Sequence, residues 1–362
     1  MASIWKNKLT LSIFGQSHGK AIGMTLDGLP AGTRIDKDLL QQFLERRAPG
    51  RNPWSTTRKE TDQPEFLSGL LGDVTCGAPI TAVIYNENTR SVDYDNLKSI
   101  PRPGHADFPA HVKHHGYQDV AGGGHFSGRL TAPLCIAGGI ALQVLAKKGI
   151  YIGGHIGSIG QVYDERFDPV NVNREDLQQV DEKAFPTISE ASGEAMKEVV
   201  EDARKSLDSV GGTIECAIIG LPVGLGEPMF DGMENRLASL MFAIGGIKAI
   251  EFGAGIDAAK MLGSVHNDAY GYEAHQVRTV TNHHGGILGG LTTGMPLLFK
   301  VTVKPTPSIS KKQDSVDLTT GEKVALEIKG RHDPCIVPRA VPCVVAAAAI
   351  CILDALLEAG QV

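Results

Sequence analysis

The sequence has no excess of basic residues. Its 362 residues include 35 Lys and Arg against 41 Asp and Glu, which gives a formal net charge of −6. Domains that bind nucleic acid through a general electrostatic attraction carry a basic excess. Nucleic acid is therefore not the expected partner, and an anionic ligand would have to be held by a local cluster of cations.

The sequence also lacks the cysteine and histidine patterns of disulfide frameworks and zinc sites. Its six cysteines show no framework spacing, and neither Cys-x-x-Cys nor His-Glu-x-x-His occurs. Cysteines of this kind, several of them in apolar runs, are typical of reduced core residues in a cytosolic protein. No metal site is predicted.

Two further absences concern membranes. The N-terminal sequence MASIWKNKLT has no apolar segment of the kind found in signal peptides. The longest apolar run, residues 340–353, is about fourteen residues long, whereas a membrane span needs roughly twenty. We therefore predict a buried helix in this run, no membrane association and a cytoplasmic location.

Glycine, in contrast, is abundant, with 43 residues. The glycines form clusters, such as residues 122–124 and 285–286, rather than a fixed period, which excludes a collagen-like repeat. Clusters of this kind favour turns in which the backbone approaches a ligand closely. No linker, low-complexity tract or internal repeat is present.

The hydrophobic pattern predicts an α+β fold with helices packed against sheets. Residues 9–14 and 21–27 form a hairpin around GQSHGKA, and Asp36 is the N-cap of a helix that ends near residue 48. Apolar residues nearly all round predict buried helices at 132–147 and 341–359. The charged segment 164–190 is predicted to be irregular. Further helices are expected at 189–210 and 234–244, and further strands at 65–71, 80–85, 151–162, 213–219 and 293–302.

The stretch from Arg102 to Arg129 has the strongest functional signal. It contains five of the twelve histidines, namely His105, His111, His114, His115 and His125, together with Lys113 and six glycines. Its prolines and the Gly122–Gly124 run forbid one continuous helix. Imidazole, cations and glycine in one loop predict a site for an anionic ligand, with a polar surface loop as the alternative.

The motif GQSHG, residues 15–19, matches the nucleophile elbow of serine hydrolases, which would make Ser17 a nucleophile. That elbow requires a helix after the turn, and a strand and a turn follow here. The motif also nearly matches a phosphate-binding loop, but the spacing is one residue short. An acid/base or anion-contact role for His18 therefore fits better than the hydrolase, and a turn histidine in solvent is the structural alternative.

Three later motifs add phosphate-contact residue types. NHHGGILGG, residues 282–290, lacks the strict Rossmann fingerprint but suits backbone amides around a phosphate, and a packed glycine turn explains it equally well. KPTPS, residues 304–308, supplies a cation and two hydroxyls. KGRHDPC, residues 329–335, places Asp333 beside Arg331 and His332, so Asp333 is either an ionised base or part of a surface ion-pair turn.

Taken in order, GQSHG, RRAPGR, RPGHAD, GGGHFSGR, NHHGGILGG, KPTPS and KGRHDP closely resemble the chorismate synthase family, over residues 9–357. The resemblance implies a single domain covering residues 1–362, a β-α-β sandwich with helices packed between antiparallel sheets, and a homotetramer. It implies the 1,4-anti elimination of phosphate from 5-enolpyruvylshikimate-3-phosphate (EPSP) to chorismate, the last step of the shikimate pathway. It further implies that reduced FMN is required without net redox change, and that NADPH could serve as an indirect reductant.

The resemblance also implies roles for individual residues. His105 would keep the reduced flavin in its anionic form, His18 would protonate the departing phosphate, and Asp333 would remove the ring proton together with the flavin N5. Arg47, Arg102 and Arg129 are candidates for binding the substrate, and Arg47 falls where the family contacts a nicotinamide nucleotide. The candidate FMN contacts are His125, Phe126, Ser127, Gly245, Gly246, Gly289, Lys304, Pro305, Thr306, Pro307, Ser308 and Arg331.

The sequence departs from the commoner family pattern at several of these positions. His125 stands where GGGRSSARETA has an arginine, Ala48 replaces one of three consecutive arginines, and Gly245-Gly246 replaces Asn-Ala. These differences leave the exact FMN and nucleotide contacts open, and the sequence does not tell whether the protein reduces its own flavin. A serine hydrolase using Ser17 and a flavin-binding protein without lyase activity are the alternative functions.

Overall fold

The structure is a computed structural model that describes residues 3–50, 54, 60–86, 97–273, 275–328 and 332–362. The chain divides into two compact units. Unit 1 comprises Met1–Ala137, Lys197–Gly211 and Lys304–Arg339, and unit 2 comprises Gly138–Met196, Gly212–Val303 and Ala340–Val362. Three of the five boundaries fall inside the helices Thr131–Ala146, Glu190–Lys205 and Val337–Glu358, and the other two fall at the ends of the strands Gly212–Ile219 and Leu297–Val303. The expectation of a single domain stays a prediction.

Unit 1 contains a five-stranded antiparallel sheet. Two-stranded pairs join Leu70–Leu71 to Val74–Thr75 and Gln313–Val316 to Lys323–Leu326. The helices within this unit are Lys37–Arg47 and Asp107–Lys113, with short 3-10 segments at Ala121–Phe126 and Gly128–Leu130. In spatial order, the strands of the main sheet are Ile4–Lys6, Thr10–Gly15, Ala21–Asp27, Ile80–Tyr85 and Glu65–Ser68.

Two local predictions for unit 1 are confirmed. The strands Thr10–Gly15 and Ala21–Asp27 pair as an antiparallel hairpin, with Gly15 opposite Ile22. A Cβ at Gly15 would lie 2.4 Å from the carbonyl oxygen of Ala21, so only glycine allows the strands to meet at this end. The Asp36 side chain accepts hydrogen bonds from the backbone N–H groups of residues 38 and 39 and thereby caps the helix Lys37–Arg47.

Unit 2 contains the second five-stranded antiparallel sheet. Its centre is the strand Gly212–Ile219, which pairs on both sides. Two-stranded pairs join Tyr270–Glu273 to Gln276–Thr279 and Ile287–Leu288 to Leu291–Thr292. In spatial order, the strands of the main sheet are Ile247–Phe252, Leu297–Val303, Gly212–Ile219, Tyr151–Ile159 and Val162–Tyr163. The helical segments within this unit are Arg174–Asp181, Met233–Ala243 and Gly263–His266, with 3-10 turns at Met229–Asp231 and Gly255–Lys260.

The prediction that residues 164–190 are irregular was wrong, because a helix forms at Arg174–Asp181. Asn173 and Asp176 make reciprocal cap hydrogen bonds, which satisfy the first turn of the helix. Leu177 and Val180, three positions apart, are buried in a cluster of apolar side chains. One short apolar pair is a weak periodic signal inside a charged segment, so the helix is visible only through its cap.

The two apolar helices are core helices. The segments Gly128–Ala146 and Val337–Glu358 are long and apolar enough to cross a membrane. However, 78% and 94% of their most apolar stretches are buried inside the protein. The predicted buried helices are therefore confirmed. The second begins at Val337 rather than near residue 341, so it runs through Pro342. Helices combined with antiparallel sheets confirm the α+β class.

A buried charge cluster attaches the segment after the strand Tyr151–Ile159 to the sheet of unit 2. His155 is fully buried, with Nδ1 3.1 Å from Asp164 Oδ2 and Nε2 3.0 Å from Glu215 Oε2. Glu215 also accepts from Arg166 Nε at 2.8 Å, and Asp164 accepts from the backbone N–H of Ser189 at 3.0 Å. Burial alone would lower the pKa of His155, but the two carboxylates outweigh it and raise that pKa.

We expect His155→Gln to lower the free energy of unfolding by about 3–5 kcal/mol at pH 6, because two buried carboxylates lose their cation. A raised folded-state pKa stabilises the protein fully below the ordinary histidine value, and this contribution disappears as the pH rises through the raised value. The difference from wild type should therefore shrink between pH 6 and pH 10 in urea unfolding. His275→Asn, at an exposed position of the same unit with φ of 65°, is the control. A difference independent of pH would contradict a charged His155.

Candidate active site

Asp107 is the common partner of Arg102 and His105, two of the predicted site residues. Its carboxylate accepts from Arg102 Nε at 2.7 Å, from Arg102 Nη2 at 2.8 Å and from the Arg102 backbone N–H at 3.0 Å. His105 Nδ1 lies 2.5 Å from Asp107 Oδ1. Burial alone would raise the pKa of Asp107, but the hydrogen bonds from Arg102 and His105 outweigh it and hold that pKa far below its usual range. Asp107 is therefore ionised at every physiological pH.

The KPTPS segment lies against the same loop. Arg102 Nη1 donates to Ser308 Oγ at 3.2 Å, and Lys304 Nζ donates to the carbonyl oxygen of Gly104. Ser308 is buried. The fold thus brings two motifs that are about 200 residues apart in the sequence into direct contact, as a shared site requires.

The turn Gly122–Gly124 lies against both predicted catalytic histidines. Its φ angles are 59°, 86° and 53°, which favour glycine. A Cβ at Gly122 would lie 2.2 Å from His18 Nδ1, and a Cβ at Gly123 would lie 3.2 Å from His105 Nε2. Consecutive glycines therefore face the two imidazole rings, and side chains larger than hydrogen would push the rings away. This turn brings His18 and His105 into one site.

Ser17 does not have the environment of a hydrolase nucleophile. It is buried, its backbone N–H donates to the carbonyl oxygen of Gly124 at 3.1 Å, and its Oγ lies 3.2 Å from His18 Nδ1. The turn that carries it connects two strands of an antiparallel hairpin. The helix that a nucleophile elbow needs is absent from this part of the described structure.

The predicted FMN contacts at residues 125–127 have different surroundings. His125 is exposed, with Nδ1 2.9 Å from the Gly15 carbonyl oxygen and Nε2 2.7 Å from Ser3 Oγ. Phe126 is partly exposed, and Ser127 Oγ accepts from the Arg129 backbone N–H at 3.3 Å. Both ring nitrogens of His125 are thus used within unit 1, and its role toward FMN stays a prediction.

Arg47 and Arg129 share one fully buried carboxylate, that of Asp62. Arg47 Nη1 donates to Asp62 Oδ2 at 2.6 Å, Arg129 Nη1 donates to Asp62 Oδ1, and Arg129 Nη2 lies 3.7 Å from Glu60 Oε2. Burial alone would raise the pKa of Asp62, but the two arginines outweigh it and lower that pKa. Burial lowers the pKa of Arg129 despite Asp62, yet a guanidinium remains charged in proteins.

Asp333 is held near the end of the first helix through Arg339. Arg339 Nη1 donates to Asp333 Oδ2, and Arg339 Nε donates to the carbonyl oxygen of Arg47 at 3.1 Å. Arg331 lies outside the described residues. The pKa of His332 is lowered, mainly by burial and further by the charge of Arg102. The carboxylate of Asp333 partly offsets both effects.

Two buried polar atoms of unit 1 fit a polar ligand. His332 Nε2 and Thr306 Oγ1 are buried and have no hydrogen-bond partner among the residues that the structure describes. Such orphaned atoms are uncommon in proteins and indicate a missing partner. Thr306 belongs to the predicted FMN segment, so this segment fits a phosphate-bearing group such as FMN.

The three other glycines predicted to contact FMN belong to unit 2. Gly245 and Gly246 follow the helix Met233–Ala243, and Gly289 lies in the turn between Ile287–Leu288 and Leu291–Thr292. Their roles stay predictions.

Comparison with known proteins assigns the family. The family model described as Chorismate synthase matches residues 9–357. The chain belongs to the chorismate synthase family. Curated chorismate synthases of Lancefieldella parvula and Thermococcus kodakarensis are each 44% identical to it, covering 98% and 96% of this chain and 96% of each relative. A crystal structure of a chorismate synthase superposes with a TM-score of 0.76 at 26% identity, covering 97% of this chain and 92% of the other.

These findings confirm the resemblance and the fold class expected from the sequence. The chain is a chorismate synthase-type enzyme, a carbon–oxygen lyase acting on a phosphate-bearing small molecule in aromatic amino-acid biosynthesis. Sequence reasoning missed Asp107, Asp62 and Glu60, which pair with the predicted site residues. The one available signal was the position of Asp107 in RPGHAD, two residues after His105.

We expect Asp62→Asn to destabilise unit 1 by about 3–5 kcal/mol, because two buried guanidinium groups lose their shared counter-charge. Thermal unfolding of the wild type and the variant at pH 7 measures the loss. Asp73→Asn is the matched control, since Asp73 pairs with Lys37 at the surface and its removal should leave the unfolding temperature nearly unchanged. Equal effects of the two substitutions would contradict the buried pairing.

Proposed function

We propose that this protein catalyses the 1,4-anti elimination of phosphate from EPSP to give chorismate, with reduced FMN as an essential cofactor. The observation that best supports this reaction is the Gly122–Gly123 turn, which faces His18 and His105 together. This elimination releases phosphate and removes a proton from the ring. An acid that protonates the phosphate and a separate base that accepts the ring proton would assist the two events. Two imidazoles and the nearby motif carrying Asp333 supply candidates for these roles.

The buried arginines are suited to the anionic groups of the substrate, which has two carboxylates and a phosphate. Arg129 Nη2 is buried without a hydrogen-bond partner among the described residues. It can donate to a substrate oxygen while Nη1 stays on Asp62. Arg47 and Arg102 would add charge-assisted hydrogen bonds or long-range attraction.

Reduced FMN, when bound, supplies an electron-rich ring that stabilises the electron-poor allylic centre formed as phosphate departs. The residues that would hold it are those of the KPTPS segment, where the Thr306 hydroxyl is an unpaired buried group. Arg331, residues 125–127, Gly245, Gly246 and Gly289 complete the proposed set. His105 would favour the anionic reduced form, His18 would give a proton to the departing phosphate, and Asp333 would accept the ring proton.

The proposal extends to the assembly and the cell. The protein would act in the cytoplasm as a homotetramer of single-domain subunits, with NADPH available as an indirect reductant. Large apolar side chains exposed on unit 2 support association between copies, because an interface would remove their apolar surface from water. The most exposed of them are Val223, Met229, Phe230, Ile256, Leu262, Tyr270 and Tyr272. Light scattering after gel filtration would test the tetramer.

The decisive experiment mixes the purified protein with chemically reduced FMN and EPSP under anaerobic conditions. Chorismate absorbance and phosphate release are followed together, and both should appear in equal amounts. Neither should appear with oxidised FMN. Flavin binding with intact EPSP would support the flavin-binding alternative, and flavin-independent labelling of Ser17 by a fluorophosphonate would support the hydrolase.

We expect His105→Ala and Asp333→Ala to fold normally and to lose at least about 100-fold in turnover, the usual contribution of one general acid or base. His115→Asn is the matched control, since His115 is exposed in the same stretch and its φ of 53° suits asparagine. Turnover under the anaerobic assay and the unfolding temperature are measured for all three. Near wild-type rates in both alanine variants would rule out the assigned roles.

A further inference from the structure

The contact between His105 and Asp107 determines which ring nitrogen carries a proton. Asp107 is ionised, and a carboxylate only accepts hydrogen bonds. At 2.5 Å from Asp107 Oδ1, His105 Nδ1 must therefore be the donor. Arg102 Nη2, 3.1 Å from the same nitrogen, cannot donate to it and directs its hydrogen to Asp107 at 2.8 Å instead.

This assignment leaves Nε2 as the atom of His105 that can gain or lose a proton. Nε2 faces the glycine turn, where a Cβ at Gly123 would lie 3.2 Å from it. The side chain of His105 keeps 14% of its surface exposed, whereas that of Asp107 keeps 6%. Nε2 thus faces the glycine turn, and the proton on Nδ1 faces the buried carboxylate of Asp107.

We propose that Asp107 is a positioning residue for His105, which it holds as the Nδ1–H tautomer so that Nε2 performs the proton chemistry of the site. This inference rests on the proposed function, because it assigns the mechanism of the same histidine. Arg102 has a supporting part: it binds both oxygens of Asp107 and connects the pair to Ser308 in the predicted FMN segment.

The substitution Asp107→Asn distinguishes this role of Asp107 from that of a structural ion pair. Asparagine has the shape of aspartate, but it does not keep the proton on His105 Nδ1. An asparagine at position 107 can turn its amide NH₂ toward His105 Nδ1, which imposes the opposite tautomer and places the proton on Nε2. In serine proteases the equivalent change of the residue behind a catalytic histidine lowers turnover by about 10⁴-fold. Asp107→Asn should therefore lower kcat by about 10²- to 10⁴-fold.

The first test is independent of catalysis. Protein labelled with ¹⁵N-histidine is examined by NMR, and the His105 signals are assigned by their loss in His105→Gln. The wild type should show a protonated Nδ1, and Asp107→Asn should shift the proton to Nε2. An unprotonated Nδ1 in the wild type overturns the proposal, even if the variant does not fold.

The second test is a double-mutant cycle on turnover. If Asp107 acts through His105, Asp107→Asn should have almost no further effect on kcat in the His105→Ala background. Asp107→Glu, which keeps the carboxylate, should recover part of the loss, and Asp73→Asn should leave kcat unchanged. An equal loss of kcat in both backgrounds, or a rise in KM with unchanged kcat, would overturn the proposal.

The two tests also separate this inference from the proposed function. If the wild type does not convert EPSP, the proposed function fails, while the NMR signals still decide whether Asp107 sets the tautomer of His105. If the wild type is active and the tautomer is unchanged in Asp107→Asn, the inference alone fails.

Discussion

The candidate site depends on one electrostatic constraint: each buried arginine needs a carboxylate partner. Arg102 pairs with Asp107, and Arg47 and Arg129 share Asp62. Moving a charge out of water costs several kcal/mol unless an opposite charge lies close by. The carboxylates therefore allow three guanidinium groups to be buried in an acidic protein. A ligand must then bring several negative groups to gain from them, because part of each cation's charge is already compensated.

Backbone geometry supplies the second constraint. The first hairpin places His18 on a tight turn, and the Gly122–Gly124 turn places its backbone against that ring and against His105. The backbone hydrogen bond from Ser17 to Gly124 connects the two turns directly. Charged pairs fix the orientation of the side chains, while the glycines remove the volume that would separate them. Both the charged pairs and the glycines are needed to hold the two imidazole rings at one site.

The predictions from sequence succeeded where the signal is local. Alternation around GQSHG, the Asp36 cap and the two apolar helices each depend on neighbouring residues, and the structure agrees with them. The pairs Arg129–Asp62 and Arg102–Ser308 join residues that are 67 and 206 positions apart in the chain, and no periodicity or spacing in the sequence predicts them. The helix Arg174–Asp181 was missed because its apolar face has only two buried residues, Leu177 and Val180. The order of seven motifs, which no single spacing explains, identified the family.

His125 shows how a departure from the family pattern can be understood physically. A carbonyl oxygen only accepts, so His125 Nδ1 carries a proton toward Gly15, while Nε2 lies 2.7 Å from the hydroxyl of Ser3. An arginine has donors but no acceptor, so it could meet Ser3 only by donating to the hydroxyl oxygen. The histidine therefore fastens the glycine turn to the first hairpin through Gly15 and to the segment before the first strand through Ser3. Because His18 is carried by that hairpin and His105 faces that turn, His125 supports the relative placement of the two imidazoles from outside the site.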